Sequence, residues 1–323
     1  MKPVSLIVLA AAAACASPGL VQAEASYPSR PITMVVPLPA GGTADLLCRL
    51  AAERAAGVLK QQIIVENRPG GAGGRVAIEA VMRGTADGHT VLCAPQLAYT
   101  VSHLLFTKSP LDTRAMEPVS VLATYPLIVI ARGNFPADDF AGFLAYAKAN
   151  PGKINYGHQG KGNTGHLLGE LLMLTGKFRM TEIPYRGSAP AINDLLGGNI
   201  DMVPDYLLAN KQNIDAGKLK FLATGSRERI KTYPKVATIA ETLPGVFADT
   251  WMAVAAPPGT PKEATQRLSD AIGEGFKADA LRKRILSLEA EPLGSTPDQM
   301  RELIGASTKH WSPVIDAAKI TIE

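Results

Sequence analysis

The stretch ITMVVPLPAGGTADLLCRLAAERAAGVLKQQIIVE, residues 32–66, holds the pattern that decides the fold. Its apolar runs at 32–36 and 63–66 have the length of buried strands. Between them, residues 43–60 place apolar side chains on one face at helical spacing (Leu47, Leu50, Ala51, Ala55 and Val58). A strand, a helix and a second strand in this order predict parallel strands covered by a helix.

The alternation of strands and helices continues along the chain. Residues 76–83 predict a helix and residues 90–94 a strand, which completes a βαβαβ unit. A second unit follows, with elements predicted at 127–131, 141–149, 154–156, 164–174, 182–184, 189–196, 200–203 and 219–224. These patterns predict an α/β protein with a mostly parallel sheet and helices on both faces.

The C-terminal part is predicted to be helical after an apolar strand at 251–256. Thr260-Pro261-Lys262-Glu263 and Thr296-Pro297-Asp298-Gln299 both fit a capping box with proline at the first helical position. The sequence shows no low-complexity linker between the two units. We therefore expect two lobes that share crossing strands, with the chain returning to the first lobe near Trp251.

The N-terminus has the pattern of a secretory signal. Lys2 precedes an apolar run at 4–14, and small residues end at Val21-Gln22-Ala23. Because the run is too short for a membrane helix, we expect cleavage after Ala23 and a soluble, exported chain of 323 − 23 = 300 residues. A chain of that length is expected to form two domains. Lipid attachment at Cys15 is the alternative, although residues 12–14 lack the leucine usual before such a cysteine.

The charge balance bears on the kind of partner that the protein binds, and the cysteine content bears on whether it has disulfides. Without Lys2 the chain has 32 basic and 29 acidic residues, a net charge of +3, and it has no clustered basic face, so no nucleic-acid partner is expected. Cys48 and Cys93 remain after the signal. An oxidising compartment permits a disulfide, but two cysteines do not make a disulfide framework, and two buried free thiols are expected.

The first motif that could carry chemistry is PLPAGGTAD, residues 37–45. It follows the first predicted strand and opens the first predicted helix. Gly41 and Gly42 let the backbone approach a ligand, and Thr43 can cap the helix. Free amides at a helix start form an anion site, although a plain strand–helix turn fits equally well. Asp45 is expected to pair with Arg49 rather than to contact an anion.

The second motif is YGHQGKGNTGH, residues 156–166, which again follows a strand and opens a helix. Its glycines spell G-x-G-x-x-G, but the acid expected about 20 residues later in a dinucleotide site should end the next strand, whereas Glu182 begins it. We therefore expect Gly162, Asn163 and Thr164 to offer amides and a hydroxyl to an anion. Two such loops predict one carboxylate site shared by the two units.

Catalytic and metal motifs are weak. The sequence contains no G-x-S-x-G, H-E-x-x-H or C-x-x-C. His158 and His166 lie eight residues apart without an obvious third ligand, so no metal site and no cofactor are expected. His166 is expected to orient the loop from the first turn of its helix, and His158 could face the cleft. We expect a protein that is not an enzyme.

The mature chain resembles the Bug family, the periplasmic receptors of tripartite tricarboxylate transporters. The similarity runs from Tyr27 to the C-terminus with order and spacing kept. It is carried by YPSRPITMVVPLPAGGTAD (27–45), VENRPGGAGGRVA (65–77), ADGHTVL (86–92), NPGKINYGHQGKGNTGHLLGELL (150–172), IPYRGSAPAINDLLGGNIDMVPD (183–205), AGKLKFLATGSRER (216–229) and WMAVAAPPGTP (251–261).

The resemblance implies a class II periplasmic binding protein fold: two mixed-sheet α/β lobes joined by crossing strands, with the ligand cleft between them. The implied division is a signal peptide at 1–23, a first lobe at 24–125 with 251–323, and a second lobe at 126–250. The implied ligand is a small carboxylate. The implied partners are the membrane permease subunits of the transporter, and the receptor is expected to be a monomer.

The resemblance also implies which residues contact the ligand. In the first lobe these are Ala40, Gly41, Gly42, Thr43 and Gln96. In the second lobe they are His158, Gly160, Gly162, Asn163, Thr164, Tyr185, Arg186 and Asp205. Alternatives stay open for several: Tyr185 and Trp251 could be packing residues, Asp205 could cap the following helix, and Arg186 could be solvated.

Three functional hypotheses follow. The first is a high-affinity receptor for a mono-, di- or tricarboxylate, an acidic amino acid or an aromatic acid. The second is a carboxylate sensor of the same fold that docks on a membrane sensor kinase. The third, a periplasmic enzyme, requires a nucleophile–base pair or a metal for which the sequence shows no pattern.

Overall fold

The computed structural model describes residues 27–70, 72–106 and 112–322. The expected signal peptide and Cys15 lie outside these ranges, as does the side chain of Thr43. The strands are β1 (Ile32–Val36), β2 (Ile63–Asn67), β3 (Thr90–Pro95), β4 (Glu117–Arg132), β5 (Asn155–His158), β6 (Thr181–Pro184), β7 (Met202–Tyr206), β8 (Leu219–Thr224), β9 (Asp249–Ala256) and β10 (Glu291–Pro292). The helices are α1 (Thr43–Leu59), α2 (Arg75–Met82), α3 (Leu97–Thr100), α4 (Ser102–Leu105), α5 (Phe140–Ala149), α6 (Thr164–Gly176), α7 (Ser188–Leu196), α8 (Leu207–Asp215), α9 (Ile239–Thr242), α10 (Lys262–Phe276), α11 (Asp279–Leu286) and α12 (Pro297–Ala318).

The first unit is the parallel arrangement that residues 32–66 predict. β1 pairs in parallel with β2 on one side and with β3 on the other. Helix α1 packs on these strands because Leu47, Ala51 and Ala55 recur every four residues and are fully buried. The helix ends at Leu59, and the next residue, Lys60, has a left-handed backbone that terminates it.

The long strand β4 joins the two halves of the molecule. Its residues 117–126 pair antiparallel with β9, and its residues 127–131 pair antiparallel with β7. β5 then pairs in parallel with β6 and β7. The full order is β2-β1-β3-β9-β4-β7-β5-β6, with β8 and β10 also paired to β4. The predicted lobes with shared crossing strands are therefore confirmed.

Two carboxyl-terminal strand edges meet at one short segment of β4. Beyond the end of β3, the Gln96 amide donates to the Trp251 carbonyl, and Trp251 lies opposite Thr124 of β4. At the end of β7, Tyr206 lies opposite Leu127. Three residues of extended chain separate Thr124 from Leu127, about 10 Å. The loops that follow β1, β3, β5 and β7 are thus brought to the junction of the halves.

The C-terminal helix contacts both halves. Trp311, Val314 and Ile315 of α12 lie in one apolar cluster with Leu105 of α4 and Leu167 of α6. Because α12 packs across the junction, the boundary that assigns 251–323 to the first lobe stays a proposal. In the ranges the structure describes, no helix combines the length and the apolar character needed to cross a bilayer.

The cysteines overturn one expectation. Cys48 of α1 and Cys93 of β3 are joined by a disulfide, with Cα atoms 6.2 Å apart, and both residues are fully buried. The prediction of two free thiols was wrong because the sequence does not show that α1 lies against β3. The bond connects a helix that starts at the first glycine motif to the strand that ends beside Gln96.

Candidate functional site

The first glycine loop leaves β1 and enters α1. Gly41 has a φ of +89°, which favours glycine, and Gly42 is the N-cap residue of α1. A β-carbon on either glycine would meet no atom within 4 Å, so the backbone here is open to the surroundings. The predicted contact residues Ala40, Gly41 and Gly42 therefore lie on an exposed loop at a helix start.

A buried carboxylate holds this loop from behind. Asp45 accepts hydrogen bonds from the Gly41 amide at 2.9 Å, from Arg49 Nε at 3.0 Å and from Asn67 Nδ2 at 2.9 Å. Burial raises the pKa of Asp45, but these hydrogen bonds outweigh it and keep the pKa below its usual value. The predicted pair of Asp45 with Arg49 is confirmed. The Gly41 amide is committed to Asp45, and the Gly42 amide has no acceptor in the described part of the chain.

Gln96 presents a buried donor without a partner. Its side chain is 1% exposed, and among the described residues Nε2 has no hydrogen-bond acceptor. Its backbone is fixed by the bond to Trp251. Because β1 and β3 are parallel neighbours, Gln96 and the first glycine loop lie at the same edge of the sheet. A buried amide donor left unpaired at this edge is suited to a carboxylate oxygen.

The second glycine loop leaves β5 and enters α6. Gly160 and Gly162 have φ values of +131° and +73°, and Asn163 caps the helix through Oδ1, which accepts from the Gly165 amide at 3.1 Å. The Asn163 amide donates to the Gly160 carbonyl at 3.2 Å, and Thr164 is buried. The loop is therefore closed on itself as well as positioned by the helix.

Two histidines take the amides of this loop. The Gly160 amide donates to His158 Nδ1 at 3.2 Å, and the Gly162 amide donates to His166 Nδ1 at 3.0 Å. The expected orientation of the loop by His166 is thus confirmed, whereas His158 is fully buried rather than in an open cleft. The expectation that Gly162 and Asn163 offer free amides is corrected, because both amides are used inside the loop. In the described residues, the amides of Lys161 and Thr164 remain without an acceptor.

Glu182 completes a cluster that the sequence does not reveal. His158 Nε2 lies 2.8 Å and His166 Nε2 lies 3.3 Å from Glu182 Oε1, and the two rings stack with centroids 4.5 Å apart. The expectation that the histidines lack a third neighbour was wrong, since Glu182 enters from β6. In the sequence it is visible only as a strand residue, and the parallel register of β5 with β6 brings it to the histidines.

Asp205 lies at the end of β7 and is fully buried. Its Oδ1 accepts from Gln159 Nε2 at 3.0 Å, and its Oδ2 accepts from Asn210 Nδ2 at 3.0 Å and from the Ser188 hydroxyl. Burial raises the pKa of Asp205, although these donors oppose the shift. Asp205 therefore connects the second glycine loop with the starts of α7 and α8. Gln159, Ser188 and Asn210 were missed because no local pattern connects them.

The remaining predicted contacts lie around this framework. The Tyr185 hydroxyl donates to Asp194 at 2.7 Å, and burial together with Asp194 raises the pKa of Tyr185 to about 12. Arg186 is exposed. Trp251 is buried and stacks on Tyr99 with centroids 6.0 Å apart, so it is a core residue. Tyr125 of β4 meets Tyr206 of β7 edge-to-face at 5.3 Å, directly at the junction of the halves.

The fold and the paired helix-start loops define a two-lobe solute-binding protein. The family model described as "Tripartite tricarboxylate transporter family receptor" matches residues 47–320. The chain belongs to this family of periplasmic solute-binding receptors, which includes the Bug proteins. It is 34% identical to Protein BugT of Bordetella pertussis over 294 residues, covering 90% of each chain.

Solved structures show the same fold with ligands. The structure described as "R. palustris Rpa4515 with adipate" superposes with a TM-score of 0.81 at 31% identity, covering 92% of this chain and all of the other. MatC from Rhodopseudomonas palustris with bound malate superposes with a TM-score of 0.77 at 29% identity, covering 90% of this chain and all of the other. Both ligands of these similar proteins are dicarboxylates.

Proposed function

We propose that this protein captures a small carboxylate between its two glycine loops and delivers it to the membrane subunits of a tripartite tricarboxylate-type transporter. The convergence of both loop-bearing strand edges on residues 124–127 of β4 carries this proposal. Closure of two lobes around a ligand at such a junction is a hinge motion. The adipate and malate found with similar proteins are the first ligands to test.

The chemistry of the two loops suits an anion without a cation in direct contact. Each loop opens a helix, so the helix dipole and the unpaired amides favour negative charge. The first lobe would supply the Gly42 amide and the Gln96 side chain, and the second lobe the amides of Lys161 and Thr164. Arg186, which is exposed, is proposed to meet a second carboxylate, while His158, Tyr185 and Asp205 are proposed to support the site from behind.

The finer features of the proposal follow from the sequence. We place signal cleavage after Ala23, a monomeric receptor in the periplasm, and binding without turnover. The lobes are proposed to comprise 24–125 with 251–323, and 126–250. Mass spectrometry of the exported protein tests the cleavage site, because the mature chain must begin at Glu24.

A thermal-shift screen tests the binding function. The mature protein would be melted with malate, adipate, citrate, glutamate and benzoate, each in large excess. A ligand at about 100 times its Kd stabilises the native state by about 2.7 kcal/mol, which raises the Tm of a protein this size by roughly several degrees. A flat panel with a cooperative melt contradicts the proposal.

Gln96 offers a matched variant. Because its Nε2 has no partner in the described residues, Gln96→Leu should keep or slightly raise the Tm of the free protein. The same change should reduce the ligand-induced shift. An undiminished shift would remove Gln96 from the site.

A further inference from the structure

We propose that His158 and His166 are positioning residues that hold the second glycine loop in its ligand-ready form while both rings are neutral. The inference rests on the proposed function, since it concerns how the carboxylate site is kept in shape. It begins from the pair of amide-to-imidazole hydrogen bonds, at 3.2 Å from Gly160 and 3.0 Å from Gly162.

These contacts decide where each ring carries its proton. An amide N–H can only donate, so both Nδ1 atoms must be unprotonated acceptors. A neutral imidazole then has its proton on Nε2. His158 Nε2 hydrogen-bonds to Glu182 Oε1 at 2.8 Å, and His166 Nε2 lies 3.3 Å from the same oxygen. His158 therefore links a loop amide to the carboxylate on β6 by hydrogen bonds, and His166 holds the second amide beside the same carboxylate.

The same atoms invite comparison with a metal site. His158, His166 and Glu182 offer ligand atoms that all lie within 4.8 Å of one another. A metal on Nε2 requires that nitrogen to be unprotonated, and the other ring nitrogen then donates its proton to an acceptor. Here the other nitrogen of each ring faces an N–H donor. The arrangement therefore favours a hydrogen-bonded hub, formed by His158, His166 and Glu182, over a metal centre.

The hub fixes the backbone that would meet the ligand. With the amides of Gly160 and Gly162 turned to the histidines, the intervening Lys161 amide is left without an acceptor in the described chain. The other side of the loop is fixed by packing, because a β-carbon on Gly162 would lie 2.5 Å from Ile322. The loop is thus held between the imidazoles and the C-terminal residues.

Protonation should release this hold. A charged imidazole carries a proton on Nδ1 as well. The Nδ1–H group and the glycine amide N–H would then face each other as two donors, and the hydrogen bond between them would be lost. The charged or titratable groups around the rings are Glu182, Glu170 at 3.9 Å from His166 Nε2, Tyr156 through its bond to Glu170, and Lys161. Burial, with help from His158 and Lys161 and against Glu182, lowers the pKa of His166 to about 4. His166 is therefore neutral at pH 7.

The first test reads the tautomers without any ligand. Long-range ¹H–¹⁵N NMR spectra of the mature protein at pH 7 show which ring nitrogen bears the proton. We expect Nε2 to be protonated and Nδ1 to be unprotonated on both His158 and His166. A protonated Nδ1 on either ring overturns the inference, whatever the outcome of the ligand screen.

The second test compares two substitutions of equal position and different chemistry. Asn places Oδ1 where Nδ1 lies and keeps an acceptor for the amide, whereas Phe keeps the ring shape and removes the acceptor. Kd would be measured by calorimetry for whichever of malate, adipate, citrate, glutamate or benzoate binds. Each Phe variant should weaken binding at pH 7 by about fivefold, the effect of one lost hydrogen bond, and each Asn variant by about twofold or less.

The pH profile separates loop positioning from general support of the fold. Between pH 6 and about 3.5, a range that spans the His166 pKa of about 4, the Kd of the wild type should rise more steeply than that of the H158N/H166N double variant. Comparing the two cancels titration of the ligand itself. Parallel profiles, or Asn variants as weak as Phe variants, overturn the inference. Failure of the wild type to bind any of these acids is a failure of the proposed function, and the NMR result still decides the tautomers.

Discussion

Removal of the disulfide between Cys48 and Cys93 should destabilise the protein substantially. The bond closes a chain separation of 45 residues. Closing a loop of this size lowers the conformational entropy of the unfolded chain, which stabilises the folded protein by about 4 kcal/mol. Both cysteines are fully buried between α1 and β3, so the double variant Cys48→Ala/Cys93→Ala also leaves the surrounding packing slightly emptier.

The assay is a thermal melt of the mature variant beside the wild type. For a chain of this size roughly 2 °C of Tm corresponds to 1 kcal/mol, so the variant should melt about 8 °C lower. Reductant should lower the Tm of the wild type during unfolding and leave the variant unchanged, because the variant has no bond to reduce. Alkylation of the wild type unfolded without reductant should label no thiol.

Two results would refute this reasoning. Labelling of both cysteines in the non-reduced, unfolded wild type would show that the bond does not form. A variant that melts within about 2 °C of the wild type would show that the bond contributes far less than the entropy of a loop of this length. Ligand binding should weaken together with stability, since the bond connects the element that starts at Gly42 to the strand that ends beside Gln96.

Three further predictions concern the second lobe. Asp205→Ala should cost about 3 kcal/mol in urea unfolding, because the donors of Gln159, Ser188 and Asn210 lose their acceptor in a buried site; a cost under about 1 kcal/mol would contradict the assigned network. The pKa of His166 is about 4 in the folded protein and near 6.5 in the unfolded chain, so the unfolded chain binds the additional proton. The free energy of unfolding should therefore fall as the pH decreases from 6.5 to 4, by about 3 kcal/mol at most. An unchanged unfolding midpoint over that range, or the same fall in the H158N/H166N variant, would argue against this assignment. Gly162→Ala should be more destabilising than Gly198→Ala, because both glycines have positive φ but only the β-carbon at Gly162 would press on Ile322. Equal melting points would mean that Ile322 moves aside at no cost in stability.

Local patterns predicted the elements and the two loops well. The apolar run 32–36 coincides with β1, and the helix predicted at 43–60 is observed at Thr43–Leu59. Alternation of apolar runs and helical faces depends on near neighbours in the chain, which the sequence displays. The same holds for the pair of Asp45 with Arg49 along one helix.

Elements defined by distant pairing were predicted less completely. Only 127–131 of β4 was expected, whereas the strand spans Glu117–Arg132. Prolines at 118 and 126 obscure its pattern, and its length is set by pairing with β9 in one half and β7 in the other. Similarly, Thr296 forms the predicted capping box, but the Thr260 hydroxyl bonds to the Pro257 carbonyl and caps nothing. A short motif cannot show which competing local acceptor its hydroxyl will find.

In the candidate site, too, the features set by local sequence were predicted and those set by distant contacts were not. The glycine loops were predicted because each one follows a strand and opens a helix. The groups that hold those loops were not predicted, since Asn67 and Glu182 come from neighbouring strands separated from the loops along the chain. Their positions depend on the register between strands, which no single stretch of sequence contains.

The two loops are held by opposite chemistry, and this difference has a consequence for the whole receptor. In the first lobe the ionised Asp45, whose pKa is kept low by its donors, takes the Gly41 amide. In the second lobe the neutral rings of His158 and His166 take the amides of Gly160 and Gly162. Acidification toward pH 4 leaves the first carboxylate largely charged but begins to protonate His166, whose pKa is about 4. Loss of ligand affinity in acid should therefore begin in the second lobe, while the first lobe still presents its helix start.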